Sequence, residues 1–298
     1  AGGVILVTTK KGKAGKVTFD YLGQYGTEWA INVPERLSLL DEANLVNLGQ
    51  LNAGAGPEYN AFDLEQIRNN VPYVVNPADT NNYLFYNQEP LTDRLLRKYT
   101  SMRTHNITAR GGTDKFNFMV SGGYYEKQGV FKVGPDNNKR YNLRVNLGTQ
   151  LTKHLSLDTR IAYTLEQTRQ SSSGADGGGL LYQVYRLRTR TPFFTPEGRY
   201  NGAGSAASAY AELESGGYNN LDKNFFDGTF TLKAAEIVKG LTLRAVAGTQ
   251  FRPQNRNTFF RTVPLWGRNS ISRYINQVNS YRVTRDLTKN LNLQFLAD

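Results

Sequence analysis

Val4-Ile5-Leu6-Val7-Thr8-Thr9 is a short apolar, β-branched run and predicts a buried strand that ends at Lys10-Lys11-Gly12-Lys13. From Val17 to Trp29, Val17, Phe19, Tyr21 and Tyr25 alternate with Thr18, Asp20, Leu22 and Gln24, a period of two that predicts a second strand. From Met102 onward the same alternation recurs in long runs. Phe116, Phe118 and Val120 alternate with Asn117, Met119 and Ser121. Tyr141, Leu143, Val145 and Leu147 alternate with Asn142, Arg144 and Asn146. Leu155 to Glu166, Phe226 to Ala234, Leu241 to Phe251, Asn279 to Leu287 and Leu291 to Asp298 continue the series, so that about nine strands follow the opening one.

Residues 30–101 interrupt the alternation. Ser38 followed by Leu39-Leu40-Asp41-Glu42-Ala43 predicts a helix with Ser38 as N-cap and acids in its first turn. Weaker helices are expected at Leu64–Asn69 and Leu91–Tyr99, separated by Pro, Asn and Gly clusters. The segment reads as a long, partly ordered connection. Further along, short turns at Gly111–Lys115, Thr152-Lys153-His154, Val238-Lys239-Gly240 and Thr288-Lys289-Asn290 alternate with longer connections at about 30–101, 128–140, 169–222 and 253–277. A meander with tight turns at one end and long loops at the other is the pattern of a transmembrane β-barrel. The run lengths agree, because a tilted membrane strand needs about 9 to 11 residues whereas globular strands average about 5 to 6. One face of each run is Leu, Val, Ile, Phe and Tyr; the other is Asn, Thr, Ser, Gln, Asp and Arg, which suits a wet or protein-filled lumen. The fold class expected is all-β, a partial antiparallel transmembrane β-barrel with long loops.

Composition narrows the chemistry. Mean hydropathy is −0.52 and no stretch reaches the ~18 apolar residues of a membrane helix. A barrel tolerates such low hydropathy, since half of every strand is polar. The 298 residues contain no Cys and two His, His105 and His154, which removes disulfide, thiol and Cys- or His-cage metal chemistry and leaves no cofactor implied. The chain begins Ala1-Gly2-Gly3 without Met or signal peptide, and with an open strand count it reads as a window on a longer chain. The net charge of +11 invites a nucleic-acid reading, yet the one basic run is Lys10–Lys13 and no nucleic-acid module is present, so solvated turn lysines are the simpler account.

Two stretches resemble a known family. Gly2 to Gly12, with Gly3, Val4, Ile5, Thr8, Thr9, Lys10, Lys11 and Gly12 as its motif, resembles the last plug strand of the SusC/RagA family of TonB-linked outer-membrane proteins. His105-Asn106-Ile107-Thr108-Ala109-Arg110-Gly111-Gly112-Thr113-Asp114-Lys115-Phe116-Asn117-Phe118, continuing through Ser121–Val130 and Lys139–Leu147, resembles that family's first barrel hairpin and next strand. The resemblance implies a plug end at 1–12 and the N-terminal portion of the barrel at 13–298. It also implies a plugged barrel of about twenty-two strands in the full protein. The implied location is the outer membrane of a Gram-negative bacterium, with lipid around the wall. The implied partners are a SusD-like surface lipoprotein and the TonB-ExbB-ExbD complex. The implied cargo is an oligosaccharide, or for some members a peptide.

Other motifs have bland alternatives. Ser171–Gly179 is Gly-rich but lacks the Lys of a phosphate loop and reads as a linker-like loop, with a short helix expected over Leu180–Arg190. Asp222–Gly228 superficially follows a calcium loop, but its third ligand and Gly fall one position late, so a loop-to-strand junction is the alternative. Asp158 and Glu166 sit beside Arg160 on a polar strand face, where lumen salt bridges compete with a glycosidase pair. Arg110, Arg144, Arg160, Arg244 and Arg282 fall on the polar faces of different strands and form a candidate lumen wall. Tyr124, Tyr125, Tyr163, Phe251, Phe259, Phe260 and Tyr281 suit an interfacial girdle. Tyr182, Tyr185, Phe193, Phe194, Tyr200 and Tyr210 are candidate loop contacts to substrate or partner, although loop aromatics also simply pack loops. The expected function is TonB-dependent import without catalysis. The alternatives are a secreted or surface β-rich carbohydrate-binding or adhesion module and, less well supported, a surface hydrolase.

Overall fold

Alternation of apolar and polar residues carries eight long strands in the computed structural model, which describes residues 15–31, 34–172, 179–186, 188–203 and 208–297. In chain order the elements are β1 (Gly15–Glu28), α1 (Leu39–Asn52), α2 (Ala61–Arg68), β2 (Tyr73–Val75), β3 (Tyr83–Phe85), α3 (Leu91–Leu95), β4 (Thr100–Gly112) and β5 (Phe116–Gln128). There follow β6 (Asp136–Gln150), β7 (Leu155–Ser171), α4 (Gly179–Arg186) and α5 (Ser208–Ser215). The last are β8 (Gly217–Ala235), β9 (Thr242–Phe260), β10 (Val263–Trp266), β11 (Ile271–Ile275) and β12 (Ser280–Ala297). The plug-end motif at Gly3–Gly12 lies outside the described residues, as does most of the Gly-rich run after Ser172.

The long strands form one antiparallel sheet in the order β1-β4-β5-β6-β7-β8-β9-β12, each paired with its predecessor in the meander. Among the described residues it does not close; β1 and β12 are its edges. Tight connections at 113–115, 151–154 and 236–241 lie at one end, and 29–99, 129–135, 172–216 and 261–279 lie at the other. Gly112 makes the first tight turn possible: its φ is 152°, and a Cβ there would sit 2.3 Å from the Phe116 carbonyl oxygen.

The fourth expected turn does not exist. Thr288-Lys289-Asn290 runs through the middle of β12, paired with Arg252, Phe251 and Gln250. Lys289 points to the apolar face but lays its ammonium 5.6 Å from the centre of the Phe251 ring, so the strand need not turn to solvate it. About nine expected strands therefore become eight. The loop expected at 128–140 shrinks to 129–135, because both flanking strands continue beyond the apolar band. For the same reason β8 begins at Gly217 and β9 ends at Phe260, which shortens the loops expected at 169–222 and 253–277. The Asp222–Gly228 segment is mid-strand in β8, with Asp222 paired to Arg169 and Asp227 to Arg252, and it forms no calcium loop. Pro253 sits in β9 where the β8 ladder is interrupted between Lys223–Gln254 and Phe226–Phe251, as a residue without an N–H requires.

Cross-strand register separates the faces. One row reads Phe19, Ala109, Val120, Val145, Ile161, Gly228, Thr249 and Leu291. Its neighbour on the opposite face reads Asp20, Thr108, Ser121, Arg144, Ala162, Asp227, Gln250 and Asn290. On β7 the apolar side spans Leu155 to Leu165. At about 3.3 Å per residue and a tilt of about 40°, that is a band of ~25 Å, the hydrophobic height of a barrel wall. Among the described residues no helix is long and apolar enough to cross a membrane.

Candidate functional site

The polar face holds all five arginines expected there. Register puts Arg110, Met119, Asn146, Arg160, Thr229 and Gly248 in one row, and Arg144 in the next. Arg244 lies nearer the tight-turn end opposite Lys233, and Arg282 nearer the long-loop end opposite Thr258. The five share a wall without forming one cluster. Arg110 pairs with Asp20 at 3.1 Å. Arg140, Arg252 and Arg256 share the face, and Arg252 pairs with Asp227 at 3.0 Å. Sequence reasoning missed these three because the alternation was not followed far enough toward the loops. Asn and Thr side chains complete the wall: Thr164 donates to Asn142 at 3.0 Å and Thr258 to Asn219 at 3.1 Å. Asp158 and Glu166 face the same side but lie eight residues apart on one strand, about 27 Å, too far for the paired carboxylates of a glycosidase.

The long-loop end carries the most deeply buried residues. The 29–99 connection folds α1, α2 and the β2–β3 hairpin around Leu39, Ala43, Tyr59, Ile67 and Tyr86. Ser38 caps α1 by accepting the Asp41 N–H at 3.1 Å, as expected. Asn60 and Asp63 close a capping box on α2, which starts three residues earlier than the spacing suggested. The 172–216 connection packs Val184, Phe193, Ala209 and Leu213 against Leu91 and Leu95 from the first connection. Val263 and Leu265 of β10 pack on Ala211. Helix α5 and both hairpins lacked a readable periodic signal.

Polar contacts stitch these loops together. Glu42 accepts from the Thr189 backbone N–H at 3.1 Å and from its hydroxyl at 2.5 Å. Arg188 and Arg190 both pair with Glu58, and Arg190 stacks 4.5 Å from the Tyr59 ring centre. The Glu58 carboxylate holds the Arg188 guanidinium firmly protonated. Tyr83 donates to Glu197, which lowers the pKa of that carboxyl. Arg268 donates its backbone N–H to Asn81 at 2.6 Å, and Trp266 donates to the Tyr200 carbonyl at 2.7 Å. Burial, then the hydrogen bond to Asp63, pushes the Tyr86 phenol well above its ordinary value.

The loop aromatics divide accordingly. Phe193 is fully buried and its ring lies 5.1 Å from that of Tyr210, which in turn lies 5.0 Å from Phe194. Phe194 also stacks on Tyr200 at 5.7 Å. Tyr185 is half-buried, while Tyr182 is 62% exposed. Among the described residues no group of acids and histidines could hold a metal ion.

No protein-family model matches the chain. TonB-dependent receptor P3 of Formosa agariphila is 24% identical over 205 residues, covering 67% of this chain and 17% of the receptor. TonB-dependent receptor P39 of the same organism is 22% identical over 87% of this chain and 22% of its own length. TonB-dependent receptor SusC of Bacteroides thetaiotaomicron is 25% identical over 61% of this chain and 15% of its own. The RagAB peptide importer in its closed-closed state superposes over 96% of this chain with a TM-score of 0.64 at 18% identity, using 33% of that chain. In the open-open state the TM-score is 0.63.

The chain is similar to TonB-dependent receptors, SusC among them. It spans between 15% and 22% of the length of these curated relatives. The shared fold is that of a barrel wall, and the location is the outer membrane of a Gram-negative bacterium. In outer-membrane barrels generally, an apolar outer face meets lipid, a polar inner face lines the lumen, and the tight turns lie at the periplasmic end.

Proposed function

We propose that the full receptor imports a nutrient, an oligosaccharide, through TonB-ExbB-ExbD-driven displacement of a plug, with a SusD-like lipoprotein seated over the loops. On this reading residues 1–12 end the plug and 13–298 begin the barrel. The observation that carries it is the eight-stranded meander with one apolar face, tight turns at one end and a folded loop cap at the other. The long exposed apolar face also speaks against a secreted binding module, which would have to cover it. The similarity to a peptide importer makes peptide the second cargo. Exposed Tyr182 remains the best placed of the loop aromatics to meet cargo or lipoprotein. Deleting the gene and measuring growth on glycans or on peptides as sole nutrient tests the assignment. A growth defect on glycans supports it, one restricted to peptides replaces the cargo, and native protein recovered in the soluble fraction refutes import. The arginine wall has its own test. Arg144→Glu with Arg160→Glu should slow uptake severalfold while leaving assembly intact, and unchanged uptake would reduce these residues to lumen solvation.

A further inference from the structure

The apolar band ends, on the lipid-facing side, at an aromatic row formed by His105, Tyr124 and Tyr141 on neighbouring strands. His105 stacks between Tyr21 and Tyr124, at 6.2 and 6.4 Å, and hydrogen-bonds the Tyr21 hydroxyl at 2.7 Å through Nδ1. Aromatic side chains at this height mark the headgroup level. The next row toward the loops is Tyr25, Arg103, Glu126 and Lys139, charged where the rows below are apolar.

A cavity of about 380 Å³ opens on this row, lined by Tyr25, Arg97, Arg103, Glu126, Gln128 and Asp136 among others. Its walls come from β4, β5, β6 and the segments beside them, and only Tyr25 is supplied by the edge strand β1. Two of its charged groups are committed to holding the 129–135 loop as a roof. Arg97 donates to the Gly129 and Phe131 carbonyls, and Asp136 accepts the Phe131 N–H at 2.8 Å. The other charges do not balance. Arg103 and, beside the cleft, Lys139 share the single carboxylate of Glu126, with Arg103 bonded through Nε at 2.7 Å and in close contact through Nη2, and Lys139 at 3.5 Å. With Nε and Nη2 turned to Glu126, the Arg103 side chain is still 55% exposed and keeps the Nη1 edge of its guanidinium for a ligand.

We propose that this cleft binds a phosphate on the headgroup of an outer-leaflet glycolipid. Two cations on one carboxylate leave a positive charge facing outward at headgroup depth, and a guanidinium fork matches phosphate geometry. The acyl chains of such a lipid would lie below, along Tyr21, Ile107 and Leu143, which are exposed on the same face. Tyr25, 74% exposed at the rim, offers its ring to the sugar. The inference rests on the barrel reading, because it needs the apolar face to meet lipid.

The test uses the full-length receptor extracted from outer membranes, titrated with diphosphoryl lipid A or with its dephosphorylated form and read by native mass spectrometry. The receptor should bind the diphosphoryl lipid more tightly. Arg103→Ala with Lys139→Ala should weaken that binding about thirtyfold, as expected when two basic groups leave an anionic headgroup. Arg103→Gln alone should weaken it about fivefold and serves if the double variant does not assemble. Heat-modifiable migration on gels confirms that each variant is folded. Equal binding of the two lipids, or unchanged binding by the variants, overturns the site. Complete displacement of the lipid by millimolar inorganic phosphate overturns the lipid as its source. Native receptor recovered in the soluble fraction would instead overturn the barrel reading, and is recognised by loss of all lipid binding.

Discussion

Replacing Phe193 by Ala isolates the contribution of the loop core. The side chain is fully buried among Leu91, Leu95, Val184, Ala209 and Leu213, which come from two different connections of the sheet. Its ring also packs against Tyr210 at 5.1 Å. Truncating a buried Phe costs about 3 to 5 kcal/mol through lost transfer energy and the cavity left behind. Part of that is aromatic contact, about 0.5 to 1.5 kcal/mol. At 1.4 kcal/mol per tenfold, the opening equilibrium of the cap should rise by about two to three and a half orders of magnitude. The loss is local, because Phe193 touches no long strand of the wall in this cluster. Limited proteolysis of the full receptor in detergent reads it directly: cleavage within 172–216 and within 86–99 should accelerate together, while the heat-modifiable barrel band stays unchanged. Tyr182→Ala, at an exposed position of the same connection, should change cleavage less than about threefold, as for a surface substitution within ~0.5 kcal/mol. Cleavage confined to 172–216, or equal for Phe193→Ala and Tyr182→Ala, would refute a shared core.

Three further expectations follow from the same geometry. Val145→Arg, on the apolar face mid-band, should cost about 2 to 4 kcal/mol and reduce the heat-modifiable fraction, whereas Asn142→Arg on the lumen face should assemble normally; equal yields would undo the assignment of faces. Tyr86→Phe removes the donor to Asp63, a 2.6 Å bond in the loop core, and should loosen α2 by about 1 to 2 kcal/mol in hydrogen exchange. Burial raises the Asp136 carboxyl pKa above its ordinary value. The protonated form is therefore favoured in the folded loop, whose stability is fullest below the unfolded Asp pKa and declines as pH rises through the raised one. Protection of the Phe131 amide, corrected for intrinsic exchange, should follow that decline, and Asp136→Asn should flatten it.

The wall was legible because lipid on one side and water on the other impose a strict period of two. That constraint fixes the side of Arg110, Arg144 and Arg160 from parity alone, and the register bears the parity out. It also explains the error at Thr288-Lys289-Asn290. Thr288 and Asn290 are the polar positions that the lumen face demands, so the triad holds one exception, Lys289, and a long aliphatic stem over Phe251 accommodates it. Strand ends were misplaced for a related reason. Beyond the band the outer face turns polar, as at Asn220, Asn255 and Asn257, and alternation ceases to be a hydrophobic signal while the ladder continues. The cap was illegible beyond its capping residues. Its helices of 5 to 14 residues gain stability from partners in other loops, and no local pattern records that.

The shared core also constrains how the loops can move. Leu91 and Leu95 belong to the first connection, Val184, Phe193 and Leu213 to the third, and Val263 to the fourth packs on Ala211 of α5. Displacing any one connection uncovers apolar groups of the others, and each fully uncovered Leu or Phe side chain costs about 1.5 to 3 kcal/mol. Thr189 with Glu42, and Arg188 with Glu58, add polar ties between the first and third connections that would also have to break. Independent loop swings are therefore costly. A lipoprotein seated on any part of this cap would thus act on all three connections at once, which is the behaviour a lid over the proposed import route requires.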